Sequence, residues 1–116
     1  MQYLLLIYQS EAEVEKLGEA HLKQMHSDYM AFTQSIVQSG HFKGGDALQP
    51  SPTATTVRVR NGKTMTTDGP FAETREQLAG YYMVEAKDLD QAVTLAERIP
   101  SAKWGSVEVR PIQKFD

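Results

Sequence analysis

Asp68, His26, Tyr29 and Arg58 are the side chains here whose types could do chemistry together. A carboxylate, an imidazole, a phenol and a guanidinium are parts for metal-free acid–base work on a small polar or carboxylated substrate. In that reading Asp68, His26 and Tyr29 are the catalytic candidates. Arg58 would hold a substrate carboxylate through its planar fork, with Glu73 and Tyr82 as further ligand contacts. Each residue also has a plainer reading, and both stay open. Asp68 precedes Gly69-Pro70 and could stabilise a turn by bonding its own backbone. Tyr29 falls in an apolar stripe and could be core. A histidine at a helix edge is often only solvated. Arg58 could pair with Glu85 or Glu108 across a sheet. Glu73 could complement a helix dipole.

The chain excludes several other chemistries. It has no cysteine, so thiol catalysis and disulfides are out. With His21, His26 and His41 as the full histidine complement, a metal site is not expected. Net charge is −3, so no global field draws the protein to nucleic acid. The apolar run Tyr3–Tyr8 is far below the roughly 20 residues that span a bilayer. It also lacks the basic start and cleavage pattern of a leader. These features predict a cytoplasmic protein of one domain, residues 1–116, with no membrane partner.

The elements that must position those side chains follow from periodicity. Tyr3–Tyr8 is apolar on both alternating faces, which predicts a strand covered on both sides. Gln9–Glu19 reads as a loop or frayed helical turn. Leu22, Met25, Tyr29, Phe32 and Ile36 give the three-and-four spacing of an amphipathic helix, widened by Val37 and ended at Gly40. Phe42–Leu48 is a strand that Gly44-Gly45 marks for a bulge or a close approach by another group. Asn61-Gly62 between Thr55–Arg60 and Lys63–Thr67 predicts a two-residue hairpin. It puts Thr56, Arg58, Arg60 and Lys63 on one face and Val57 and Val59 on the other. After the Asp68-Gly69-Pro70 turn, Phe71 is expected as an apolar anchor, with a short helix over Glu73–Leu78. Tyr81–Ala86 is a second strand apolar on both faces. Asp88 and Gln91 form a capping-box pattern for a helix buried through Leu89, Ala92, Val93, Ala96 and Ile99, stopped by Pro100. Trp104 is expected against the core or a dimer seam, and Val107–Ile112 is the last strand.

Set in order, these give a βαββαβ ferredoxin-like α+β plan with an antiparallel sheet and an added hairpin. Two helices cover one face of such a sheet, yet two strands are apolar on both. A second copy packed sheet to sheet would cover the remainder, so a homodimer is expected.

The run Asp68-Gly69-Pro70-Phe71-Ala72-Glu73-Thr74-Arg75-Glu76 resembles the signature of DGPF-type proteins of the YCII-related family. So do Ala47-Leu48-Gln49-Pro50, Gly80-Tyr81-Tyr82 and Ser106-Val107-Glu108-Val109-Arg110-Pro111-Ile112. The resemblance implies a dimeric α+β barrel without cofactor. It implies either a small enzyme of unknown substrate or a non-catalytic partner of an extracytoplasmic-function sigma factor. The wider family is associated with a His–Asp pair, the His on the first helix and the Asp before the last strand. Here that histidine falls near Tyr29, and the Asp-Pro reads Ile99-Pro100, so the pair is not intact.

Overall fold

The computed structural model describes residues 1–115. The chain runs β1 (Gln2–Gln9), α1 (Glu11–Glu15), α2 (Glu19–Gln38), β2 (Phe42–Ala47), β3 (Thr55–Arg60), β4 (Lys63–Asp68), β5 (Gln77–Glu85), α3 (Leu89–Ala96) and β6 (Ser106–Pro111). Short 3-10 turns at Ser51–Thr53 and Pro100–Lys103 lead into β3 and β6. Four strands form one antiparallel sheet in the order β2-β5-β1-β6, with β3 and β4 paired apart. That is the ferredoxin-like plan the sequence predicts.

Alternation along β1 sets the layers. Tyr3, Leu5 and Ile7 point to the helices and are buried, whereas Leu4, Leu6 and Tyr8 are half-buried on the other face. Phe32 and Ile36 of α2 pack on the inward row with Tyr82 and Val84 of β5 and Ala92, Leu95 and Ala96 of α3. The Tyr82 ring stands edge-on to Phe32 at 5.2 Å between centroids, a favoured aromatic geometry.

The buried stripe of α2 is shorter than its periodicity suggests. Leu22 and Val37 are exposed. Only the C-terminal half reaches the core, and the middle turns, through Met25, His26, Tyr29, Met30 and Thr33, wall a cleft. On α3 the stripe is turned. Leu95 is buried while Leu89 and Val93 are exposed. The true face is Ala92, Leu95, Ala96 and Ile99, which keeps the three-and-four spacing from which Val93 is one residue off. Asp88 caps this helix by accepting from the Gln91 N–H at 2.9 Å. The Gln91 side chain reaches back to the Lys87 N–H, one residue before the cap.

The segment after Asp68 departs further from expectation. No helix forms over Glu73–Leu78; β5 begins at Gln77. Gln77 and Leu78 are taken by β1, opposite Gln9 and Tyr8, and tertiary pairing overrides local propensity. Phe71 is 81% exposed and anchors nothing within the chain. Trp104 is likewise exposed, at the end of the Pro100–Lys103 turn. Residues Glu11–Glu15, expected as loop or frayed turn, are a short helix because the Ser10 hydroxyl accepts from the Glu13 N–H.

The hairpin forms with the predicted register, Arg60 opposite Lys63 and Arg58 opposite Met65. Asn61 and Gly62 both take positive φ, 53° and 74°, as the tight turn requires. The predicted bulge in β2 lies between Phe42 and Gly44. A Cβ on Gly45 would stand 2.8 Å from the Tyr81 carbonyl oxygen, so the close approach needs glycine.

Candidate functional site

Where α2 stands off the sheet, a cleft of about 450 Å3 opens between them. Its sheet side is built from small residues, Gly45 and Ala47 on β2 and Ala79 and Gly80 on β5. Ala79 is the extra residue where the β1–β5 register shifts between Ile7 and Tyr8, and its carbonyl takes the Leu48 N–H at 2.8 Å. Apolar walls come from Ile7, Met25, Met30, Phe42 and Leu48, and polar ones from Gln9, His26, Tyr29, Thr33 and Tyr82.

The polar wall is hydrogen-bonded in a fixed order. Tyr29 Oη meets Ser101 Oγ at 2.5 Å, and Ser101 Oγ donates to Gln9 Oε1 at 3.0 Å. One turn along α2, Thr33 Oγ1 donates to the Tyr29 carbonyl at 2.9 Å and meets Tyr82 Oη at 2.7 Å. Ser101 is fully buried, and no buried side-chain polar atom among the described residues lacks a partner. Burial raises both phenols above their ordinary range. For Tyr29 the Ser101 contacts pull partly back, and for Tyr82 the Thr33 bond does. Both are therefore protonated at neutral pH.

Three of the six sequence candidates meet here: His26, Tyr29 and Tyr82 line the cleft. Tyr29 is part-buried and bonded across to the turn before β6, so it is wall as well as core neighbour. His26 is exposed at the rim, and no carboxylate among the described residues is hydrogen-bonded to it. The other three lie elsewhere. Asp68 ends β4 opposite Thr55. The bonds at that corner run through backbone and Thr56: Gly69 N–H to the Ala54 carbonyl, and Thr56 Oγ1 to the Gly69 carbonyl. Arg58 is half-buried on β3. Glu85 pairs instead with the N-terminal ammonium and Glu108 with Arg110. Glu73 is exposed in the loop before β5. Within one chain, Asp68 and Arg58 do not join Tyr29 in a common cavity.

Gln9, Thr33 and Ser101 belong to the site without having been candidates. One signal in the sequence points to Gln9: it continues the inward row Tyr3, Leu5, Ile7 with a polar side chain. Thr33 stands four residues after Tyr29, on the same helix face. Ser101 has no such mark, because its burial depends on the turn that Pro100 opens.

A second, more open groove of about 380 Å3 lies on the outer surface, lined by Asp28, Phe32, Ser35, Arg98 and Lys103 among others. Two of its charged groups, Arg98 and Asp28, are already engaged. Arg98 donates to Ser35 and lies over the Phe32 ring, and Asp28 accepts from Gln24. No three His, Asp or Glu side chains among the described residues gather as a metal set. No helix among them is long and apolar enough to cross a membrane.

Fold and site together define a small ferredoxin-like α+β protein with a hydroxyl-lined cleft between its long helix and its sheet. The chain belongs to the YCII-related family, whose domain model matches residues 1–116. It is similar to an uncharacterised protein of Rhizobium meliloti (strain 1021), 34% identical over 117 residues, covering 99% of this chain and 94% of that one. In this chain Tyr29 and Ser101 join the first long helix to the turn before the last strand.

Proposed function

We propose that this protein binds a small molecule in the cleft between α2 and the sheet. One observation carries the reading. A cleft of ligand size is floored by glycine and alanine and walled by two phenols whose hydroxyls are held in place by Thr33 and by Ser101 and Gln9. Hydroxyls held by a buried partner are preorganised for a ligand. The imidazole of His26 at the rim is the group in this wall suited to taking and giving a proton, so any acid–base step would fall to it. Amide chemical shifts during a screen of small polar fragments test the proposal. Binders are expected to perturb Met25–Thr33, Phe42–Leu48 and Ala79–Tyr82. Perturbations confined to the hairpin or to the outer groove would overturn it.

A further inference from the structure

We infer that the cleft selects a ligand that presents a hydrogen-bond donor, a hydroxyl or an amine on an apolar body, and disfavours a carboxylate; this rests on the cleft being the binding site. The argument follows the protons. A carbonyl can only accept, so the Thr33 hydroxyl proton goes to the Tyr29 carbonyl. Tyr82 must then be the donor in its contact with Thr33. In the same way Ser101 gives its proton to Gln9 Oε1, so Tyr29 must be the donor to Ser101. A hydroxyl has one proton and two lone pairs. Both phenols have therefore committed their protons to the fold, and each has lone-pair capacity remaining for a ligand.

The rest of the wall agrees. It contains no lysine or arginine. Asp46 contributes to it, but the Asp46 carboxylate accepts from Tyr81, which the register places on the opposite face beside Leu6. The side-chain donors that remain are the Gln9 amide and the His26 ring. A carboxylate placed among Ile7, Met25, Met30 and Phe42 would be desolvated with no lysine or arginine beside it and only the rim imidazole of His26 to offset the cost. A donor placed there meets two oxygens already oriented.

Three probes of one shape separate the possibilities: phenol, anisole and benzoate, titrated into the intact chain while amide shifts are followed. Phenol is expected to perturb the α2, β2 and β5 amides with a Kd about tenfold below those of anisole and benzoate, the effect of one added hydrogen bond. Tyr82→Phe and Tyr29→Phe each remove one acceptor, and at least one of them should close the gap between phenol and anisole. Tyr82→Phe leaves Thr33 bonded to the Tyr29 carbonyl, so the fold is expected to hold. Benzoate binding tighter than phenol, phenol equal to anisole, or a gap unchanged in both variants would overturn the ligand class and leave the cleft reading standing. If no probe perturbs cleft amides, both fall.

Discussion

The Ser101 hydroxyl is the point at which the polar wall of the cleft depends on the core. It is fully buried and serves Tyr29 and Gln9 at once. Removing it leaves two polar groups short of a partner, so Ser101→Ala is expected to lower stability by about 1–3 kcal/mol in denaturant melts. The Tyr29→Phe and Ser101→Ala pair should couple in a double-mutant cycle; strict additivity would show that the contact contributes nothing. Titration gives a second check. Burial raises Tyr29 and Tyr82, and the Asp46 bond raises Tyr81 above the ordinary 10.0. A group raised on folding contributes stability that is complete below its unfolded value and lost as pH rises through its folded value. Stability should therefore fall on the alkaline side, with phenolate absorbance from the buried Tyr29 and Tyr82 appearing late and together with unfolding. Early, independent ionisation of all tyrosines would contradict this. At Phe71 the expectation reverses. With the ring 81% exposed, Phe71→Ala should change chain stability by less than about 0.5 kcal/mol. The sequence could not show this, because a lone aromatic after a turn reads the same whether it is buried or not.

At the scale of elements, periodicity was legible wherever one face decides the packing. β1 alternates as read, and the Asn61-Gly62 turn fixes the hairpin register to the residue. What the sequence could not reveal was where an amphipathic face stops packing. Met25 and Tyr29 carry on the stripe of Phe32 and Ile36, yet they face a cleft because the strands beneath them hold glycine and alanine. The missing short helix has the same kind of cause. Gln77 and Leu78 have partners in β1 that no local pattern announces. Gly45 ties these observations together, since it sits in the bulged edge strand and in the floor of the cleft. Gly45→Ala would push a Cβ to 2.8 Å from a backbone carbonyl and 2.9 Å from the Tyr82 ring. A loss of roughly 1–3 kcal/mol is expected from that overpacking. At Gly18 nothing lies within 4 Å of an added Cβ, so Gly18→Ala should change stability by about 0.5 kcal/mol or less. Equal melting points for the two variants would rule out the tight approach of β2 to β5.

At the scale of the whole molecule, the chain spans 48 × 48 × 18 Å. It has helices on one side of its sheet and an apolar face on the other. Leu4, Leu6 and Tyr8 sit there beside Leu78, Tyr81 and Met83, with Glu108 and Arg110 at the β6 edge. We infer that a second copy covers this face. Charge does not oppose it, because Glu108 and Arg110 pair with each other and leave no net charge at that edge to repel its own copy across a twofold axis. The area of the sheet alone is not enough. Four strands at about 4.8 Å spacing and eight residues at about 3.3 Å rise give a footprint of roughly 500 Å2. That falls short of the roughly 800 Å2 per partner of a standard interface. The hairpin can supply the difference. Val57 and Val59 are exposed together on one face of it, and an isolated two-stranded hairpin is marginal in water. Light scattering on a sizing column should give twice the chain mass at micromolar concentration. Leu6→Lys should give the single mass, since it sets two like charges near the axis. The variant should remain folded, because the inward row Tyr3, Leu5 and Ile7 is untouched. In that variant the β3–β4 amides should exchange fastest, having lost their cover, while β1 and β5 keep their protection. A wild-type chain that elutes as a monomer at that concentration would end the sheet-to-sheet dimer and the barrel it builds.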